Sequence, residues 1–293
     1  LTAAEIMQDT SLVPILSYNT NGFAHHRLPE AIEVLSGIGY RHVAITLDIH
    51  SLDPAGGNLD AHIASIRDLL ARHEMACTIE TGGRFILDPH RKHWPTLVSG
   101  DARDRQRRID FLRRAIDIAG ALDADAVSFW SGAMERDLPV DSAWSHLRES
   151  CRELLIHARD RAVQLAFEPE PGMFIETCDQ YAKLAGEMVA ISSGIPLGLA
   201  LDVGHVHCLG DGDPASRIRQ FAESLRVIHI EDMRTGLHEH VMFGEGEMDF
   251  PPIIAALCDV GYTGPLVVEL SRHSHDAVNA ARRAFEFLSS MLT

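Results

Sequence analysis

The chain has 293 residues, 46% of them hydrophobic and 23% charged, enough to bury a sizeable core in one domain. Its 42 acidic residues outnumber 26 basic ones, and the net charge of −16 repels phosphate backbones and anionic membranes, so neither a nucleic-acid nor a membrane partner is expected. No stretch approaches the roughly 20 apolar residues of a membrane span, and the first residues lack a basic segment followed by an apolar one, so the protein reads as cytoplasmic. The five cysteines are scattered without CxxC spacing, which argues for buried thiols over a disulfide framework, with Cys208 the one near candidate chemistry.

Strand-like apolar runs alternate with amphipathic helical ones from end to end. The strands fall at 13–18, 42–47, 76–80, 126–130, 164–168, 197–202, 226–230 and 265–270. Helices follow at 29–38, 59–73, 105–122, 142–161, 178–190, 214–225, 251–260 and 277–292. Gly39 and Gly261 stand where helix C-caps belong, and Asp141-Ser142 and Asp213-Pro214 where N-caps and first turns belong. Eight strand-helix pairs without a linker predict one (β/α)8 TIM barrel spanning 1–293, a fold that commonly uses about 250 residues. A long loop at 81–104 interrupts the rhythm and carries a basic island, Arg84, Arg91, Lys92 and His93. It reads either as a lid that clamps a substrate phosphate or carboxylate, with Arg91 the residue to test, or as a solvated loop.

Four potential metal ligands end four successive strands: Glu168, Asp202, His229 and Glu269. Side chains alternate across a strand, so Ala166 and Glu168 share a face, as do Ala200 and Asp202, Val227 and His229, and Val267 and Glu269. The bulky Leu165, Phe167, Leu197, Leu199 and Leu201 take the other face, under the helices. Active sites of such barrels lie at the carboxyl ends of the strands, where Asn19, Asp48, His50, Glu80 and Trp130 also fall. Two glutamates, an aspartate and an imidazole suit one divalent ion, Mn²⁺, Mg²⁺, Co²⁺ or Zn²⁺, and no organic cofactor is expected. Trp130 is placed either to stack on a sugar or to cap a barrel layer, and Arg234 either to grip substrate or to face solvent.

The chain resembles the xylose-isomerase-like TIM-barrel family of sugar isomerases and epimerases, to which apurinic endonucleases are related. The resemblance is carried by Phe167-Glu-Pro-Glu-Pro-Gly, Leu201-Asp-Val-Gly-His205, Ile228-His-Ile-Glu-Asp232, His240-Val-Met-Phe-Gly-Glu-Gly246 with Asp249, and Val268-Glu269. It implies that Glu168 and Glu269 are the acid–base pair as well as metal ligands, and that His205 binds substrate. Glu80, Trp130, Arg234, His240 and Arg91 complete the expected substrate contacts. Endonuclease members hold three zinc ions; His205, His238 and His240 match part of that set, but the third and fourth strands end without histidine.

The function expected is a divalent-metal-dependent isomerase or epimerase acting on a sugar or polyol ketone through an ene-diolate. The alternatives are a metal-dependent dehydratase acting on a keto-polyol, a zinc-dependent apurinic endonuclease, and a non-catalytic sugar- or metal-binding barrel. A homo-oligomer is left open.

Overall fold

The computed structural model describes residues 13–192 and 194–292. In chain order the elements are β1 (Ile15–Asn19), α1 (Leu28–Ile38), β2 (His42–Thr46), α2 (Leu59–Arg72), β3 (Ala76–Glu80), α3 (Ala102–Leu122), β4 (Val127–Phe129), α4 (Val140–Asp160), β5 (Leu165–Phe167) and α5 (Cys178–Ile191). Then follow β6 (Gly198–Asp202), α6 (Val203–Leu209), α7 (Pro214–Gln220), β7 (Leu225–Ile230), β8 (Asp232–Arg234), β9 (Leu237–Val241), α8 (Phe250–Asp259), β10 (Pro265–Val268) and α9 (Ala277–Ser289). Strands β1 to β7 and β10 pair in parallel and close into a barrel, with β10 returning beside β1. No helix among the described residues is long and apolar enough to cross a membrane.

Strand alternation sorts the core into two compartments. Leu165, Phe167, Leu199 and Leu201 point outward into the helical layer, where Phe167 packs edge-on against Phe129 with ring centroids 5.3 Å apart. Inside the barrel lies a separate buried layer of Ala44, Ala126, Ala166, Ala200, Val227 and Val267. Barrel layers are usually filled by bulky branched residues. Four alanines here leave room for longer polar side chains directly above, so Glu80 of β3 and His229 of β7 meet across the axis.

The opposite end is closed by a polar plug. His42 donates Nε2–H to Asp125 Oδ2 at 3.2 Å, and its Nδ1 lies 2.7 Å from the Ser17 hydroxyl. The order matches a nucleophile relay, but Ser17 and His42 are fully buried and do not line the large cavity at the other end of the barrel, so the trio serves packing.

Two elements depart from the expected pattern. Between β7 and α8 the chain makes an antiparallel hairpin, β8–β9, turned at Gly236 with φ of +74°. The buried Asp232 side chain anchors its base by accepting from the amides of Met233, Gly244 and Met248. After β6 the chain enters the short helix α6, with Asp202 as its N-cap. Helix α4 starts at Val140, so Asp141 sits in its first turn and not at the cap, while Asp213 caps α7 as expected.

The long loop of 81–101 is tied down by three arginines of α3. Buried Arg108 donates to the carbonyls of Pro95 and His93, both at 2.7 Å, Arg105 to those of Ser99 and Gly100, and Arg107 to that of Leu87. Gly132, at φ of +76°, lets β4's exit pass so close that a Cβ would lie 2.3 Å from Thr96 Cβ. Arg108→Met should cost about 3–5 kcal/mol, because two charge-assisted bonds vanish and two carbonyls are left dry. Urea unfolding measures this, and a loss below about 1 kcal/mol would show that the loop is not anchored there.

Candidate active site and metal centre

Each strand delivers its last inward residue to one end of the barrel. Glu168, Asp202, His229 and Glu269 each offer a ligand atom, and these atoms all lie within 4.8 Å of one another. The first three are buried and Glu269 is partly open, facing a cavity of about 670 Å³. Asn21 Nδ2 donates to Glu269 Oε1 at 2.8 Å, fixing that carboxylate from the end of β1. The amide of His205 donates to Asp202 Oδ1 at 2.9 Å, so the α6 cap aims the second oxygen into the cluster.

The donor set fits a divalent cation on this geometry. Asp202 Oδ2 is buried without a hydrogen-bond partner, a costly condition for a carboxylate oxygen unless an ion takes it. His229 donates Nε2–H to Glu80 Oε1 at 3.1 Å, leaving Nδ1 turned toward Glu168 Oε1 at 3.2 Å. A carboxylate behind a histidine is the usual means of fixing the tautomer of a metal-ligating imidazole. Glu80, expected as a substrate contact, therefore stands behind His229 as well as lining the cavity.

The electrostatics follow from crowding. Burial pushes Glu168 up to about 7, with Glu269 and Asp202 adding to the rise and His229 opposing it. Burial also opposes ionisation of Asp202, but the imidazoles of His205, His240 and His229 outweigh it and hold the group below the usual carboxylate range. Burial works against charge on His229, yet Glu168 and Glu80 carry it well above an ordinary histidine.

A second group stands beside the first. The Nε2 atoms of His205 and His238 are 3.0 Å apart, and those of His238 and His240 3.3 Å apart. All three can address one ion, and Asp202 with Glu231 and His240 forms an adjoining set. His205 is buried and does not line the cavity; its Nδ1 faces the Pro169 carbonyl at 3.3 Å, so the expected substrate histidine lies behind the wall. Cys208 is buried next to it, with Sγ 3.6 Å from the His205 carbonyl.

Of the other expected contacts, Trp130 and His240 line the cavity. Arg234 does not: it points along the hairpin and donates to the Glu245 carbonyl. Arg91 also lies elsewhere, its guanidinium 3.9 Å over the Trp94 ring. Two carboxylates were not anticipated. Glu170 lines the cavity, and buried Glu231 has both oxygens without a hydrogen-bond partner, with His240 Nδ1 3.5 Å from Oε2. Each follows an expected ligand by two residues, so the same period-2 alternation, carried past the strand end, points to both.

Titration of the metal-free protein with Mn²⁺ should show one tight site. Asp202→Ala should weaken it by more than the about 10–100-fold that outer partners cost, and retained affinity would refute the ligand set. Because Glu168 keeps its proton up to about pH 7, and His229 keeps one above the ordinary histidine range, both must release protons to bind, so affinity should rise with pH through 7 and go on rising above it; affinity independent of pH would contradict this.

Comparison with known proteins agrees with this architecture. The chain is 26% identical over 280 residues to fructoselysine 3-epimerase of Shigella flexneri, covering 92% of this chain and 95% of that one. It is 25% identical to inosose dehydratase of Geobacillus kaustophilus over 147 residues, only 46% of that protein. The match to an uncharacterized Methanocaldococcus jannaschii protein, MJ1311, is 24% identical and spans 66% of its length. Among solved structures, L-ribulose 3-epimerase superposes with a TM-score of 0.76 at 17% identity, covering 96% of this chain and 95% of the other. The IolI protein with a bound zinc atom gives 0.73 at 18% identity, covering 94% and 97%. Residues 32–291 match the xylose isomerase-like TIM barrel model, and the chain belongs to that family.

Proposed function

We propose that this protein is a divalent-metal-dependent isomerase or epimerase that moves a proton on the carbon beside the carbonyl of a sugar or polyol ketone. The observation that carries the reading is the pair Glu168 and Glu269, which line one cavity floor and share a single cluster with Asp202 and His229. The ion's chemistry, when bound by these four residues, is to polarise a carbonyl and its neighbouring hydroxyl and to offset the negative charge of an ene-diolate.

The residues supply the remaining steps. Glu269, partly open to the cavity and held by Asn21, takes the proton from the carbon. Glu168, buried in the same cluster and lining the same cavity, takes the partner role on the other side of the carbon. Return of the proton to the opposite face of the same carbon gives an epimer; return to the neighbouring carbon gives an isomer. Trp130 at the mouth offers a flat surface for the apolar face of a sugar. Activity on sugars in relatives such as fructoselysine 3-epimerase supports this reading.

A dehydratase uses the same first step and then expels a β-hydroxyl, and the likeness to inosose dehydratase keeps it as the second reading. The endonuclease alternative has less support: the third and fourth strands bring Glu80 and Trp130 to the cavity instead of histidines, and the net charge is −16.

Incubation of the Mn²⁺-loaded protein with keto-sugars and inosose-type ketones in deuterated water should place deuterium beside the carbonyl of recovered ketone. Glu168→Gln and Glu269→Gln should each slow this by about 10²–10⁴-fold. Loss of water without exchange into the ketone would favour the dehydratase, and exchange unchanged in both variants would remove the carboxylate pair from the mechanism.

A further inference from the structure

We infer that the rim of the cavity is an anion site, in which Arg84 and Lys92 clamp a phosphate or carboxylate borne by the substrate at the end remote from its carbonyl. The assignment rests on the proposed function for what happens at the floor, while the clamp itself is a matter of binding.

Charge is divided along the cavity. Its more buried part, the floor, presents Glu80, Glu168, Glu170 and Glu269, and its exposed edge, the rim, presents Arg84 and Lys92, with part-buried Asp48 and with Arg272, which is already paired to Glu239. An anionic end is repelled by the floor and attracted by the rim, so the ligand is oriented before any close contact forms. A cavity of about 670 Å³ is also in the range of about 300–1,000 Å³ that takes drug-sized ligands, more than a bare monosaccharide fills.

The two cations are free for a ligand. In a chain with 42 acidic residues, Arg27, Arg113, Arg148, Arg217, Arg219 and Arg272 each reach a carboxylate, while others such as Arg67, Arg72 and Arg103 stay unpaired among the described residues but do not line the cavity. Arg84 and Lys92 form no such ion pair among the described residues, although both are exposed on the same rim. Arg91, between the two in sequence, is instead committed to the Trp94 ring.

Their backbone is also prearranged. The amide of His93 donates to the Arg84 carbonyl at 2.6 Å, a pinch that brings residues 84 and 92 side by side although eight positions separate them. Buried Arg108 holds the His93 carbonyl from below. Binding therefore has only two side chains to order, which lowers its entropic cost. Arg84 and Lys92 line the same cavity as His238 and His240, so a ligand held by the clamp stays within reach of the floor. A guanidinium beside an ammonium suits a multidentate oxyanion better than a neutral hydroxyl.

Calorimetric titration of the Mn²⁺-loaded protein with D-sorbitol, D-sorbitol 6-phosphate and D-gluconate tests this, because none of the three has an aldehyde or ketone and binding is read without turnover. The expected result is at least about tenfold tighter binding of one anion than of sorbitol, lost in Arg84→Gln/Lys92→Gln and in 0.5 M salt. The better of the two anions identifies phosphate or carboxylate as the natural group. Arg67→Gln, which removes one charge from the exposed face of α2, should leave the preference intact and so separate a local clamp from general charge. Equal binding of all three compounds, or a preference that survives the double variant, would overturn the clamp. Absent deuterium exchange with anion binding retained would instead refute only the proposed proton transfer.

Discussion

Like charges crowded into a dry barrel end are the constraint on which the rest of the structure depends. Two carboxylates with oxygens no more than 4.8 Å apart repel by at least roughly 3.5 kcal/mol at an effective dielectric of 20. Glu168, Asp202 and Glu269 make three such pairs, which is comparable with the whole stability of a typical domain, about 5–15 kcal/mol. The fold therefore cannot hold them all ionised without a countercharge. Protons on His229 and Glu168 supply one, and a divalent ion supplies a stronger one at neutral pH.

The architecture around the cluster makes sense as the means of holding it. An alanine-rich inner layer provides the volume into which Glu80 and His229 reach from opposite sides. Helix α6 begins on Asp202 and fixes its orientation with one amide. The β8–β9 hairpin, pinned by Asp232, turns His238 and His240 to one face by its own alternation. The orphaned oxygens of Asp202 and Glu231 are thus not random defects of packing: both lie next to groups of side chains able to address a cation.

Much of this was legible in the amino-acid order because a strand has a period of two and a barrel puts its chemistry at one end. That reasoning located all eight barrel strands and brought Glu168, Asp202, His229 and Glu269 to one place. It stopped where regular strands stopped. The β8–β9 hairpin turns on Thr235-Gly236, which lacks the Asn-Gly or Asp-Gly pair that marks such turns, and its short strands carry no long apolar run. The choice of Arg84 and Lys92 over Arg91 depends on a backbone bond closing the loop and on a tryptophan that captures Arg91, and neither follows from local composition. His205 follows Asp202 in a motif that points to substrate, while the structure sets His238 of the hairpin between it and the cavity, a placement that nothing in that motif signals.

The central claim is that one ion is shared by side chains from the last four barrel strands. A crystal grown with Mn²⁺ and measured at the manganese absorption edge tests it directly. The account predicts an anomalous peak at about 2.0–2.4 Å from Glu168, Asp202, His229 and Glu269. A peak confined to His205, His238 and His240, or no peak at either group, would contradict it.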